Sequence, residues 1–184
     1  MTPFILTKDD LMRARRYVPL GEKSDFADRN APLCFDRLQI TSENEALPPM
    51  YMENIVLKNR YLMFALVTLY LGMAAETEMR DGEQSDLMTE DCYDHFAGSH
   101  LVAQIKRFGR DKDENVKNAS YELLEDYFEL ARMFSAQVSG LLAVQNDTVL
   151  RQSMAMRDSL KELPGLIKEL DRLKGDKKVE GKVD

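Results

Sequence analysis

The sequence has few of the residues from which catalytic centres are built. It contains two cysteines, two histidines and no tryptophan in 184 residues. Two distant cysteines, Cys34 and Cys92, indicate reduced thiols and not a disulfide framework. The glycines form neither a dinucleotide-binding nor a P-loop pattern, and no Gly-x-Ser-x-Gly elbow is present. We therefore expect a protein without enzymatic activity and without a cofactor.

Metal binding has few candidate ligands. Asp91 or Cys92 could share a helix face with His95, and a third ligand could come from Glu76 or Glu78. The Glu-x-x-His pairs that build di-iron helical bundles are absent from the sequence. The alternative is that His95 is an ordinary surface histidine of a helix. We favour this alternative and expect no metal site.

Long apolar runs are also missing. The longest uncharged run, from Tyr61 to Ala75, has 15 residues, fewer than the roughly 20 that a membrane-spanning helix needs. The first ten residues lack the basic start and long apolar stretch of a signal peptide. The sequence therefore predicts a cytoplasmic protein without a membrane partner, in which residues 61–75 belong to a buried helix.

The charge is unevenly distributed. The net charge is -7, and it is concentrated between residues 76 and 94, where eight carboxylates face one basic residue, Arg80. The carboxylates belong to Glu76, Glu78, Asp81, Glu83, Asp86, Glu90, Asp91 and Asp94. Such a block disfavours direct binding to nucleic acid. It is either a solvated linker with an acidic helix start, or a docking surface for a basic protein partner.

Helical periodicity dominates the rest of the chain. Thr7 and Asp10 resemble a capping box, and residues 50–71 read as one central helix. A helix from Leu87 to Phe108 should follow, and an exposed loop is expected over 110–118. The sequence predicts an all-α fold: a helical bundle of five or six helices with a long C-terminal helical segment.

The clearest stripe lies in the second half of the chain. It consists of Leu124, Tyr127, Ala131, Phe134, Val138 and Leu141, which alternate in steps of three and four. After a predicted cap or turn at 146–148, a second stripe follows with the same steps: Met156, Leu160, Leu163, Ile167 and Leu170. Pro164 should kink or restart this last helix. We interpret the second stripe as a helix-packing or oligomer seam.

These patterns predict a single helical domain over 1–174. It comprises N-terminal helices and a loop (1–49), core helices (50–146) and a C-terminal helix (147–174). The remaining residues, 175–184, have little to bury and are expected to form a flexible tail.

Several short stretches resemble uncharacterised small proteins of phage and prophage structural gene clusters in Gram-positive bacteria. They are Ala-Arg-Arg-Tyr-Val-Pro-Leu-Gly-Glu-Lys at 14–23, Pro-Pro-Met-Tyr at 48–51 and Arg-Tyr-Leu-Met at 60–63. The resemblance covers about the first 70 residues of the sequence. It carries no functional motif. It implies a virion-assembly or accessory role, and a virion-associated location.

Taken together, the residues favour a non-enzymatic helical interaction or structural protein that associates with itself. The apolar stripes of the long helices need other apolar surfaces to pack against, and a chain with one central helix is not expected to cover all of them. The alternative function is an acidic inhibitor whose residues 76–94 occupy a basic groove of a nucleic-acid-handling protein. The expected partner is a protein, either a second copy of this chain or another chain.

Overall fold

A computed structural model describes residues 3–38, 41–42, 45–46, 50–80 and 82–179. At 41–42, 45–46, 160, 162–163, 166 and 169–179 it describes the backbone alone. The helices are α1 (Lys8–Arg13), α2 (Leu20–Asn30), α3 (Ile55–Ala65), α4 (Glu90–Gly98), α5 (Leu101–Phe108) and α6 (Glu114–Val179). The strands are β1 (Phe35–Leu38), β2 (Thr41–Ser42), β3 (Glu45–Ala46), β4 (Met50–Glu53), β5 (Thr77–Arg80) and β6 (Glu83–Met88).

The fold is α+β, so the predicted all-α class is wrong. The six strands pair into three two-stranded sheets, β1 with β4, β2 with β3 and β5 with β6. The β5–β6 hairpin is antiparallel, with Thr77 opposite Met88 and Arg80 opposite Glu83, and Gly82 in its turn has a positive φ of 85°. These strands are only two to six residues long, too short for a clear period-two pattern in the sequence.

The predicted central helix over 50–71 is also divided. Its first residues form β4, and Asn54 then caps α3 because its side chain accepts a hydrogen bond from the Leu57 N–H. A π-helical turn, Leu66–Tyr70, follows α3 directly. Within α3 and this turn, Tyr61, Leu66 and Tyr70 are fully buried, so the prediction of a buried helix over most of 61–75 is confirmed.

The helix predicted over 87–108 is interrupted. Leu87 and Met88 belong to β6, Thr89 caps α4, and the chain turns at Ser99 and His100 before α5 begins. His100 has a left-handed backbone with φ 56°, which a helix interior does not permit. In contrast, the capping box of Thr7 and Asp10 at the start of α1 is confirmed.

The chain forms two compact units, and each is described separately. Unit 1 comprises 1–36 and 52–142, and unit 2 comprises 37–51 and 143–184. The core of unit 1 consists of two apolar clusters. The larger includes Leu11, Val18, Leu66, Tyr70 and Leu123. The smaller is centred on Phe26, Tyr61 and Phe134, whose rings lie 5.4 Å (Phe26–Phe134) and 6.4 Å (Tyr61–Phe134) apart.

Unit 2 contains the β2–β3 hairpin and the second half of α6. Asn146, predicted to lie in a cap or turn, lies inside α6, and its side chain binds the backbone of Tyr51 twice. The Tyr51 N–H donates to Asn146 Oδ1 over 2.9 Å, and Asn146 Nδ2 donates to the Tyr51 carbonyl over 3.1 Å.

Helix α6 also continues through Pro164 without restarting there. Of the predicted tail, 180–184 lie outside the described residues.

In the described part of the chain, none of the helices combines the length and the apolar character needed to cross a bilayer.

Candidate functional sites

The first half of α6 is a core helix. Of the stripe predicted there, Leu124, Tyr127, Phe134 and Val138 are buried, and Ala131 and Leu141 are half-buried. The stripe packs against both apolar clusters of unit 1. This half of the predicted pattern is confirmed, and its partner is the chain itself.

The second half of α6 carries the other stripe. Met156 is 71% exposed and Ile167 is 55% exposed. For Leu160, Leu163 and Leu170 the structure describes the backbone alone. At about 100° per residue, these five positions fall within about 80° of the helix circumference. The described members of the predicted seam are thus apolar side chains that face solvent in this chain.

Met154 provides a useful contrast to the stripe. It is 58% exposed, and it lies two residues before Met156, which places it about 160° away around the helix. The same residue type is therefore exposed on the stripe and on the opposite face. A comparison of the two methionines separates the effect of the face from the effect of hydrophobicity.

The acidic residues predicted as a partner surface have two different roles. Glu78 and Asp86 are half-buried and pair with basic or polar groups of unit 1. Glu78 binds the guanidinium of Arg60, which is 4% exposed and also donates from Nε to the Met88 carbonyl over 2.7 Å. Asp86 accepts from the side-chain amide of Asn30 over 3.0 Å. These two carboxylates hold the hairpin onto the helices.

The other described carboxylates of the block are exposed. They belong to Glu76, Glu83, Glu90, Asp91 and Asp94. Glu90 and Asp91 occupy the first turn of α4, behind the Thr89 cap, where negative charge complements the helix dipole. Asp81 lies outside the described residues. Glu90 also lies 3.8 Å from Arg60 Nη1, so the block is partly structural and partly an exposed acidic surface.

The residues considered for a metal site do not form one in the part of the chain that the structure describes. No three His, Cys, Asp or Glu side chains lie together there in a way that could hold a metal ion. The His95 ring instead contacts aromatic rings, with centroids 6.1 Å from Phe4 and 5.3 Å from Phe96.

The two cysteines are poor nucleophiles. Burial raises the pKa of Cys34 to about 12, and burial also raises the pKa of Cys92, which disfavours the reactive thiolate.

A buried ionic centre joins α2 to α6, and the sequence analysis missed it. Lys23 is 1% exposed and Asp126 is 8% exposed. Lys23 Nζ donates to Asp126 Oδ1 over 2.7 Å and to Glu129 Oε2 over 2.5 Å. Asp126 Oδ2 also accepts from the Val18 N–H over 3.0 Å and from the Tyr70 hydroxyl over 2.8 Å. Every oxygen of this buried carboxylate has a donor.

The hydrogen bonds of this centre outweigh the cost of burial. Burial alone raises the pKa of Asp126, but donation from Lys23, Val18 and Tyr70 leaves it below its ordinary value. Burial lowers the pKa of Lys23, but its bonds to Asp126 and Glu129 leave it above its ordinary value. Both groups stay charged at neutral pH and form an ion pair with each other. The geometry therefore suits a structural centre and not a nucleophile or a general base.

A cavity of about 430 Å³ borders this centre. Its lining is polar and of mixed charge, and consists of Arg16, Tyr17, Glu122, Glu125, Asp126, Glu129 and Arg132. Arg16 pairs with Glu122 over 3.2 Å, and the Lys23 ammonium lies 5.3 Å from the centroid of the Tyr17 ring. The lining therefore holds four carboxylates and two guanidinium groups, so acidic charge is in excess there.

A signal for this centre exists in the sequence, although it is weak. Lys23 stands at helical spacing from Phe26, Ala27 and Asn30, all of which are buried. Asp126 stands three residues after Leu123 and four before Leu130, so it interrupts an apolar face. A charge within an apolar stripe is a candidate for a buried pair.

Comparisons with known proteins give no family for the chain: no family model matches it, and neither the curated proteins nor the solved structures contain a match.

Proposed function

We propose that the chain is a non-enzymatic helical interaction protein that associates with itself through the stripe Met156, Leu160, Leu163, Ile167 and Leu170 of α6. The observation that supports this most directly is the exposure of Met156 and Ile167 on a helix whose first half buries the equivalent positions. Most of the stability of a protein helix comes from packing of its apolar face. A second copy supplies an apolar face of the same kind.

Charge does not oppose this association. In the last part of the sequence, residues 148–184, nine basic and seven acidic side chains nearly balance. The steps of four and three across the five stripe positions are those of a coiled-coil seam. Each Leu, Ile or Met side chain contributes roughly 1.5–3 kcal/mol when it is fully buried. A helix pair formed by two copies would bury both stripes.

The test compares two methionines of the same helix. We expect size-exclusion chromatography with light scattering to give a mass above 21.1 kDa for the native chain, rising with protein concentration. Met156→Glu should weaken the association at least tenfold, because a carboxylate then lies in an apolar contact. Met154→Glu adds the same charge on the opposite face and should leave the association unchanged.

Two results would count against the proposal. One is a native mass of 21.1 kDa at every concentration. The other is equal behaviour of Met156→Glu and Met154→Glu, because the stripe would then have no special role. Circular dichroism of each variant establishes that the helix is intact before the masses are compared.

The biological setting forms part of the same proposal. The resemblance of the first 70 residues to phage structural gene-cluster proteins supports a virion-assembly or accessory role for the self-associated chain, in the cytoplasm or on the particle. Immunodetection of the chain in purified particles tests this role. Its complete absence from particles and from assembly intermediates would remove the virion role and leave self-association standing.

A second candidate function rests on the exposed acidic surface of Glu76, Glu83, Glu90, Asp91 and Asp94. Their exposure suits an inhibitor that occupies a basic groove of a nucleic-acid-handling protein. Glu83→Gln, Asp91→Asn and Asp94→Asn together should abolish capture of such a partner. The matched control neutralises Glu114, Glu122 and Glu125, exposed residues of α6, and should not change capture. Equal loss in both variants would reject a specific acidic surface.

A further inference from the structure

The segment of residues 3–6, which precedes the N-cap Thr7 of α1, lies on α4 and α5 as an extended peptide; we name it the strap. Its side chains alternate between core and solvent. Phe4 is half-buried, Ile5 is 72% exposed and Leu6 is 4% exposed. This alternation is that of a β-strand, in which successive side chains point to opposite sides. The strap therefore presents an aromatic-x-aliphatic pattern to the surface beneath it.

That surface has an aromatic part and a core part. The Phe4 ring meets the rings of Phe96 and His95 edge-on, with centroids 5.1 Å and 6.1 Å away. Leu6 belongs to the same buried cluster as Phe96, Leu101 and Ile105. The ring of Phe4 thus packs on α4, and Leu6 lies in the core cluster to which α4 and α5 also contribute.

One side chain of α5, that of Gln104, forms hydrogen bonds with the backbone of the strap. Gln104 Oε1 accepts from the Leu6 N–H over 2.8 Å, and Gln104 Nε2 donates to the Phe4 carbonyl over 2.8 Å. Gln104 Nε2 also donates to the Ser99 carbonyl over 2.8 Å, which fixes the orientation of the amide. Main-chain hydrogen bonds combined with sites for alternate side chains are the common means of recognising an extended peptide.

The strap is separable from the helix that follows it. Thr7 and Asp10 form the capping box of α1 with each other, and Lys8 is held by Asp111 over 2.6 Å. Neither of these contacts involves residues 4–6. Opening of the strap exposes Leu6 and the covered part of Phe4 and breaks the two hydrogen bonds to Gln104, and such a local opening needs less free energy than global unfolding.

We propose that the α4–α5 surface is an exchangeable peptide-recognition site, and that residues 3–6 of a second copy can occupy it in place of the chain's own strap. The second copy is the matching occupant because its strap has the same sequence and makes the same contacts. Exchange of an identical element is a low-cost route to association. This site lies in unit 1 and does not depend on the α6 stripe, so it can fail or succeed separately from the proposed function.

The experiment uses a fluorescent peptide with the sequence of residues 3–8 and full-length protein. Phe4→Ala weakens the chain's own strap, so this variant should bind the peptide at least tenfold more tightly than the native chain does. Ile5→Ala changes an exposed strap residue and should bind the peptide like the native chain. Fluorescence anisotropy measures both dissociation constants.

Peptide variants keep the test independent of the folding of any protein variant. A peptide with Ile5→Ala should bind the Phe4→Ala protein unchanged, whereas a peptide with Phe4→Ala should lose at least tenfold in affinity. Adding Gln104→Ala to the Phe4→Ala protein should also weaken binding of the unchanged peptide about tenfold.

The native chain provides the fallback. If the Phe4→Ala protein loses its circular dichroism spectrum, the same peptides are tested on the native chain, where the Phe4→Ala peptide should again bind more weakly than the Ile5→Ala peptide. Equal binding of the two peptides, or no binding of the unchanged peptide to either protein, would overturn the proposal.

Discussion

The two halves of α6 carry apolar stripes of the same kind and differ in what covers them. Four members of the first stripe, Leu124, Tyr127, Phe134 and Val138, are buried in the core of unit 1, whereas Met156 and Ile167 in unit 2 are more than half exposed. Both stripes alternate in steps of three and four residues. Periodicity therefore identifies the face of a helix that needs a partner, and it does not say whether the partner is the same chain.

The largest expected effect compares two phenylalanines of the first half. Phe134 is fully buried and Phe128 is 40% exposed. Phe134→Ala should lower the free energy of unfolding by about 3–5 kcal/mol, because it leaves a cavity between Phe26 and Tyr61. Phe128→Ala should cost roughly 1 kcal/mol, mainly through its contact with Lys106. Urea unfolding measures both, and similar costs would contradict the assigned core.

The next prediction compares an ion pair in each half of α6. Asp126→Asn should lower the free energy of unfolding by about 3–5 kcal/mol, because Lys23 is buried and loses a charged partner. Asp158 pairs with Lys161 over 3.1 Å, and both side chains are well exposed. Asp158→Asn should cost less than about 1 kcal/mol. If Asp158→Asn lowers the free energy of unfolding as much as Asp126→Asn does, the claim that the buried centre stabilises unit 1 more than an exposed ion pair is wrong.

The same centre gives unit 1 a sensitivity to acid. The pKa of Asp126 is lowered in the folded chain, so its stabilising effect is complete above the ordinary aspartate pKa of 3.8 and is lost as the pH falls toward the folded value. Between pH 3.8 and the lower pKa of the folded state this group adds a slope of up to about 1.4 kcal/mol per pH unit. Unfolding curves of Asp126→Asn should lack this part of the slope; an identical slope in the variant would assign the acid sensitivity to other groups.

The smallest effect on global unfolding is expected at Pro164, inside the second half of α6. Proline in a helix interior removes an amide donor and disfavours the local helix by about 3 kcal/mol. Pro164→Ala should therefore raise the ellipticity at 222 nm and tighten self-association, while the unfolding midpoint of unit 1 stays the same. Gly165→Ala should act in the same direction with a smaller effect, of about 1 kcal/mol. Loss of helix in Pro164→Ala would contradict this reading.

Local signals in the sequence were reliable where the contacts are local. The capping box of Thr7 and Asp10 joins groups three residues apart, and the Leu124 to Val138 stripe repeats within one helix. The β5–β6 hairpin escaped prediction because it is held in part by Arg60 of α3, through Glu78 and the Met88 carbonyl. Such support comes from outside the segment and leaves no periodic pattern within it.

The candidate sites divide in the same way. The acidic block was visible as composition, but the pairing of Glu78 with Arg60 and of Asp86 with Asn30 depends on tertiary contacts. Lys23 and Asp126 are 103 positions apart in the chain, and no spacing rule connects them. The strap escaped notice because its recognition depends on Gln104, 98 positions from Leu6. Side chains that meet across such separations are identified only by the fold.

Hydrogen exchange of the two halves of α6 tests the central claim most directly. Amide protection is measured at a low and at a high concentration of the native chain. We predict that protection across residues 150–170 rises with concentration, because association covers the stripe there, and that protection across 119–138 stays the same. Protection across 150–170 that does not depend on concentration would contradict self-association through this face.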